Sequence, residues 1–212
     1  MSDFADEREA MVVEQLADRG ITDERVLGAM GRVRRDLFVP ERDLHKAYRD
    51  MPLRIGYGQT ISQPYMVAVI CQAAEVRDGD RVLDIGTGSG YQAAVLAELG
   101  ATVHTIERIP ELAERAGARL ADAGYENVEV HVGDGSLGLP EHGPYDAIVV
   151  AAAAPAMPAS LYEELRERGR LVVPVGGQHG QRLEVIVRSP EGPAVARSVP
   201  CRFVPLVGAE GF

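Results

Sequence analysis

From residue 81 onward, short apolar runs alternate with segments of helical periodicity, and this alternation leaves the chain very few architectures. RVLDIGT (81 to 87), TVHTIER (102 to 108), VEVHVGD (128 to 134), YDAIVVAAA (145 to 153) and RLVVPVG (170 to 176) have strand length and little polar alternation, as strands covered on both faces do. Between them YQAAVLAEL, PELAERAGARLADAG and LYEELRERG read as helices, the second with Leu112, Ala113, Ala116 and Leu120 on one face. Ser160 and Glu163 form a candidate capping box for the third helix, and Gly169 is its expected stop. The fold class is therefore α/β, a doubly wound and mostly parallel sheet of the seven-stranded type. The tail, QRLEVIVRS (181 to 189) and ARSVPCRFVPLVG (196 to 208), has no helix-length segment and is expected to add antiparallel strands. Ahead of the sheet lies an N-terminal helical cap, in which Thr22 starts a helix carrying Val26, Leu27, Met30 and Val33, and FVP at 38 to 40 ends it.

With 212 residues and 46% hydrophobic content, the chain suits one domain spanning 1 to 212. Its expected parts are N-terminal helices and a loop (1 to 76), a cofactor-binding core (77 to 190) and a strand extension (191 to 212). No apolar run reaches the eighteen or so residues that span a bilayer, and the acidic start MSDFADERE is unlike a signal or transit peptide. A cytoplasmic protein with no membrane partner is expected. The net charge of −10 disfavours a nucleic-acid partner. Cys71 and Cys201 form no CxxC pair, and His45, His104, His131, His142 and His179 show no HxxxH-type spacing, so no metal site is expected.

VLDIGTGSGYQ is a strand, a glycine-rich turn and a helix start, the arrangement that lets a ligand approach backbone at the carboxyl end of a strand. Gly86, Thr87, Gly88, Ser89 and Gly90 give GxGxG, whereas dinucleotide sites prefer GxGxxG. Asp84, two residues before the glycines, would repel a pyrophosphate but attract the ammonium and sulfonium of S-adenosylmethionine. Glu107, at the end of the next strand, can accept both ribose hydroxyls of either cofactor class. Asp134 in VGDG is placed to meet an adenine edge or a loop backbone. Ordinary turn and capping roles remain open for each residue taken alone.

One stretch is unaccounted for by the sheet: IGYGQTISQPYM (55 to 66), polar and glycine-broken, just before an apolar helix that Pro64 can start. The loop GQTISQP, followed in order by VLDIGTGSGYQAAVLA, VGDG, YDAIVVAAAAP and GRLVVPVG, resembles the protein-L-isoaspartate O-methyltransferases. These are class I methyltransferases of Rossmann-like fold that repair damaged aspartyl and asparaginyl residues. The resemblance runs from about DLFVP to RFVPLVG, and GQTISQP is its most specific part. It implies that Asp84, Gly86, Gly88, Gly90, Glu107, Asp134 and Gly135 line an S-adenosylmethionine pocket. It further implies that Ser62 is the active-site serine and that Gln59, Thr60 and Ile61 shape the substrate cleft. The implied substrates are isoaspartyl-containing proteins and peptides, and a monomer is expected. Another carboxylate or RNA acceptor, or a non-catalytic nucleotide-binding module, are the alternatives. Ser62 is expected to orient the acceptor carboxylate, since no GxSxG elbow is present for a serine nucleophile. A helix N-cap before Pro64 is the ordinary role for Ser62, and it is compatible with that one.

Overall fold

The computed structural model describes residues 4–177 and 179–212. In chain order the helices are α1 (Ala5–Ala10), α2 (Glu24–Arg32), α3 (Pro64–Ala74), α4 (Tyr91–Glu98), α5 (Pro110–Asp122) and α6 (Ala159–Glu163). The strands are β1 (Leu53–Gly56), β2 (Gln59–Ile61), β3 (Arg81–Ile85), β4 (Thr102–Glu107), β5 (Val128–Val132), β6 (Tyr145–Val150), β7 (Leu165–Gly177), β8 (Gly180–Ser189) and β9 (Gly192–Cys201). β1 and β2 make a separate hairpin, and the other seven form one sheet in the order β5-β4-β3-β6-β7-β8-β9. β3 to β7 pair in parallel, and β8 and β9 close the sheet as an antiparallel meander. The strand order reverses between β3 and β6, so a crevice is expected beyond their carboxyl ends.

Both faces of the central strands are apolar, and alternate residues feed different halves of the core. Val82, Val103, Ala147, Val149 and Val172 join one cluster with α2, α3, α4 and the N-terminal segment. Leu83, Ile85, Ile106, Ile148, Val150, Leu171 and Val173 join a second cluster on the other face, with Leu161 of α6 and Leu206 of the tail.

The local departures from expectation have identifiable causes. α2 is capped by Asp23, not Thr22: the Asp23 carboxylate accepts from the backbone N–H groups of Arg25 and Val26. The Ser160–Glu163 capping box does not form, because α6 starts after Pro158 and Ser160 Oγ donates to Glu210 Oε1 at 2.7 Å. α6 also stops at Glu163, well short of Gly169. Arg188 reaches over from β8 and donates to the carbonyls of Tyr162, Glu163 and Leu165, while Tyr145 N–H takes the Glu164 carbonyl at 2.9 Å. The next residues then extend as β7, with Arg168 at φ 65° in the bulge. The stretch 202 to 208 is not a strand; it is held by a bridge between Ala153 and Pro205 and by the Gln181 side chain of β8, which accepts from Phe203 N–H at 2.6 Å and donates to the Phe203 carbonyl at 3.2 Å.

Candidate active site

The glycine turn closes against the neighbouring strand. The N–H groups of Gly86 and Thr87 both donate to the Ile106 carbonyl, at 2.9 and 3.3 Å. Gly86, Gly88 and Gly90 have φ of 93°, 54° and 90°, a conformation that costs other residues strain. Thr87 and Ser89 turn their hydroxyls inward, Thr87 Oγ1 to Thr105 Oγ1 at 2.7 Å and Ser89 Oγ to the Tyr91 N–H at 3.3 Å. They hold the turn's shape, and its backbone is what borders the crevice.

Glu107 is 6% exposed and braces the turn from the side. Its Oε2 accepts from Gly88 N–H and its Oε1 from Ile109 N–H, both at 3.0 Å. One bond per oxygen leaves acceptor capacity for two more donors. Gly135 lies flat on the ends of β3 and β4: a Cβ there would sit 2.7 Å from Ile85 Cγ2 and 3.0 Å from Ile106 Cγ2. Glu107, Gly135, Gly86 and Gly88 thus border one cavity, together with Gln59 and Thr60 of the hairpin and the apolar side chains Ile85, Ile106, Leu206 and Val207.

Asp84 is not brought to that surface. It is wholly buried on the α4 side, where Oδ1 accepts from Gln92 Nε2 at 2.8 Å and Oδ2 from Thr105 Oγ1 at 2.9 Å. The reason is strand parity: Asp84 shares a face with Val82, which points into the first core cluster. Burial pushes its carboxyl up to about 6; the Gln92 and Thr105 hydrogen bonds oppose the rise and the Glu107 charge adds to it. A negative charge there therefore acts on a cation through the turn and not by contact. Because the folded-state pKa lies above the unfolded value, ionisation costs stability progressively from about pH 4 to pH 6, and the full cost persists above. Asp84→Asn should consequently be more stable than the wild type at pH 7.5 by roughly 1–3 kcal/mol, with the advantage shrinking towards pH 4. Urea unfolding of both proteins across this range checks it; a pH-independent difference would contradict the burial of an ionisable carboxyl.

Asp134 is bonded to the loop backbone. Its Oδ1 accepts from Ser136 N–H and Oγ at 2.9 and 2.7 Å, and its Oδ2 from Ala209 N–H at 2.8 Å, which ties the C-terminal tail over the crevice. Burial would raise its carboxyl, but the bonds from Ser136 and Ala209 outweigh that and hold it below the usual range. A side chain at Gly208 would have no room, its Cβ falling 2.0 Å from Asp134 Oδ1.

The polar stretch folds as the β1–β2 hairpin. Tyr57 and Gly58 turn it with φ of 52° and 74°, the twist that two-residue hairpin turns need. A Cβ on Gly56 or Gly58 would meet no protein atom within 4 Å, and both residues have positive φ, so it is the backbone of the turn that calls for glycine there. Contact with the glycine turn comes instead from Ile55, whose Cδ1 would be 3.4 Å from a Cβ on Gly88. The Tyr57 ring lies 5.5 Å from the Arg115 guanidinium of α5. Ile61, 4% exposed, roots the hairpin in the core.

Ser62 follows at once, and it is not the helix cap: Gln63 is at the N-cap of α3, with no side-chain capping bond. Ser62 borders a second cavity with Thr60, Gln63, Met66, Ala151, Arg202 and Phe203. Thr60, Ala151 and Val204 border this cavity and the first one, so the two are neighbours. Sequence reading missed Ala151, Arg202 and Gln92. Ala151 was within reach, as the residue that follows β6 at the point of strand reversal; its N–H donates to the Ile85 carbonyl at 2.9 Å.

Residues 7–211 match the family model described as Protein-L-isoaspartate(D-aspartate) O-methyltransferase (PCMT). Among curated proteins, the chain is 51% identical over 210 residues to a protein-L-isoaspartate O-methyltransferase of Roseiflexus sp. (strain RS-1), covering 99% of this chain and 96% of that one. It is 53% identical over 207 residues to one from Methanoculleus marisnigri, covering 97% and 94%. A solved structure named protein-L-isoaspartate O-methyltransferase superposes with a TM-score of 0.87 at 28% identity, covering 96% of this chain and 67% of that one. Another, a putative protein-L-isoaspartate O-methyltransferase from Plasmodium falciparum in complex with S-adenosyl-L-homocysteine, gives 0.81 at 27% identity, covering 94% and 98%.

Proposed function

The chain belongs to the protein-L-isoaspartate(D-aspartate) O-methyltransferase family, and we propose that its glycine turn and polar hairpin are the donor and acceptor walls of one methyl-transfer cleft. It is an S-adenosylmethionine-dependent enzyme that methylates the free carboxylate of L-isoaspartyl residues in damaged proteins, the start of their repair. The observation that carries the assignment of walls is the pair of adjoining cavities that share Thr60 and Ala151.

The residues of the first cavity suit the cofactor. Ile85, Ile106, Leu206 and Val207 offer apolar walls to an adenine, Glu107 keeps acceptor capacity for ribose hydroxyls, and Gly86 and Gly88 present bare backbone. The buried Asp84 places negative charge behind the turn, which favours a sulfonium over a phosphate. When bound, S-adenosylmethionine supplies an electrophilic methyl group on sulfur.

The acceptor side has a modest chemical task. An α-carboxylate with an unperturbed pKa of about 3.5 is ionised at neutral pH, so no general base is required. What the chain must do is align a carboxylate oxygen with the methyl carbon at roughly 3 Å and exclude water that would solvate the nucleophile. Ser62, in the second cavity next to Thr60, supplies a neutral hydroxyl donor, and Gln59, Thr60 and Ile61 set its position. A tightly paired cation would blunt the nucleophile, and Arg202, which is exposed, stands at the mouth and suits an approaching peptide. Flexible, extended segments are the substrates this open cavity fits.

The same reading takes the enzyme to act as a cytoplasmic monomer on proteins and not on nucleic acid, in keeping with a net charge of −10. No helix among the described residues is long and apolar enough to cross a membrane. Transfer of labelled methyl to an isoaspartyl peptide and to its normal aspartyl twin tests the acceptor. Label is expected in the isoaspartyl peptide alone; equal labelling of both, or of neither, would overturn the reading.

A further inference from the structure

Away from the cleft, three imidazoles converge from three separate elements: His104 from β4, His131 from β5 and His142 from the short turn Pro140–His142. Ring centroids lie 4.4 Å apart for His104 and His142, 4.8 Å for His131 and His142, and 5.5 Å for His104 and His131. His104 Nδ1 and His131 Nε2 are 3.2 Å apart, and one nitrogen from each of the three rings lies within 4.8 Å of the others. Among the described residues no other group of three or more His, Cys, Asp or Glu side chains converges in this way.

We propose that His104, His131 and His142 bind one divalent transition-metal cation of the zinc class, with Glu129 as the fourth ligand. Tetrahedral Zn–N bonds of about 2.0–2.1 Å set the nitrogens about 3.4 Å apart. The His104–His131 pair already meets that spacing, so closure falls on His142, which sits on a turn and not on a strand. Glu129 shares a strand face with His131, and its carboxylate oxygens lie 3.5 Å from His104 Nδ1 and 3.8 Å from His131 Nε2. Three imidazoles and one carboxylate are a borderline-soft set that suits Zn²⁺, where Mg²⁺ and Ca²⁺ want oxygens throughout.

The electrostatic surroundings agree. Glu129 and Glu141 face the cluster with negative charge and Arg81 opposes them. As packing alone the arrangement is costly. Partly buried ring nitrogens need partners, and the 3.2 Å contact gives two of the rings one hydrogen bond between them.

His104 and Glu107 are three residues apart on β4, about 10 Å along the strand and on opposite faces, so the site is separate from the methyl-transfer cleft. A cation there would pin the edge strand β5 and the 140–142 turn to β4. The role is structural, with all four positions supplied by the chain.

The test uses the full chain, stripped with a chelator and titrated with Zn²⁺ by calorimetry and with Co²⁺ by absorption spectroscopy. One Zn²⁺ per chain, a rise in Tm on its addition and the intense d–d bands of tetrahedral Co²⁺ are expected. His142→Ala removes a direct ligand and should weaken Zn²⁺ binding by more than the roughly 100-fold that loss of a supporting outer partner costs, and abolish the Co²⁺ bands, while His45→Ala, outside the cluster, behaves as the wild type. The metal-free Tm of His142→Ala reports whether it folds, and His131→Gln provides a second variant of near-natural volume. A wild-type chain that takes up no Zn²⁺, or His142→Ala and His131→Gln variants that bind it unchanged, would overturn the proposal.

Discussion

Ser62→Ala is expected to lower kcat/KM for an isoaspartyl peptide by roughly 10²-fold, while the Kd for S-adenosylhomocysteine stays within about twofold of the wild type. Ser62 borders the second cavity, beside Thr60 and Ala151 that also border the first, and no capping bond to α3 uses its hydroxyl. Its removal therefore leaves the helix start intact and takes away one oriented donor to the carboxylate. The magnitude follows from the cost of removing one preorganised donor where charge is redistributed in the transition state. Because the acceptor is already ionised, the loss should be constant from about pH 6 to pH 9, with no shift of the profile. Ser62→Thr retains a hydroxyl and should recover part of the rate, with the added methyl crowding Met66 or Thr60. Undiminished turnover in Ser62→Ala would remove the serine from the mechanism. An equal loss of cofactor affinity would assign it to the donor wall instead.

The parts of this site that were legible in the sequence are those whose causes are local. Gly86, Gly88 and Gly90 each adopt positive φ, a demand carried by the residues themselves, and the strand–turn–helix pattern around them is enough to locate the cavity. The parallel strands were legible too, since strands covered on both faces need apolar residues at every position. What escaped depends on partners remote in sequence. α6 ends at Glu163 because Arg188 takes its carbonyls, a contact no propensity in LYEELRERG encodes. Asp134 is tied to Ala209, 75 residues on, a contact that its VGDG context does not encode. Asp84 was misdirected for a different reason. Counting parity from Val82 along β3 puts its carboxylate on the α4 side, and that alternation is carried by the strand's own residues. The histidine cluster had no such signal: its members come from β4, β5 and a turn, at spacings that no ligand motif shares.

The second large effect is expected at Arg35, a residue with no sequence motif to mark it. It is fully buried, with Nε donating to the Ala47 carbonyl and Nη2 to the Ser62 carbonyl, both at 2.8 Å, and its guanidinium lies 4.7 Å from the centre of the Tyr91 ring. Burial brings its pKa down to about 10, against the pull of Tyr91, Asp50 and Tyr48, so it remains a cation at neutral pH. One planar group thus joins the segment after α2, the backbone of the acceptor wall and the first turn of α4, which starts from the glycine turn. Arg35→Lys keeps the charge but loses the fork, and a single ammonium cannot reach both carbonyls from one position. At least one buried carbonyl is left without a donor and a more strongly hydrated cation is confined in its place, which should cost about 2–4 kcal/mol of stability. The effect on catalysis should exceed what unfolding explains. At a temperature where Arg35→Lys is still folded by circular dichroism, kcat is expected to fall about tenfold or more with the Kd for S-adenosylhomocysteine little changed, because the Ser62 backbone loses its anchor. A folded Arg35→Lys with wild-type kcat would reduce Arg35 to a support of the core. Loss of kcat and cofactor affinity together would show that the anchor serves the glycine turn through Tyr91, and the two cavity walls would then have to be treated as one mechanical unit.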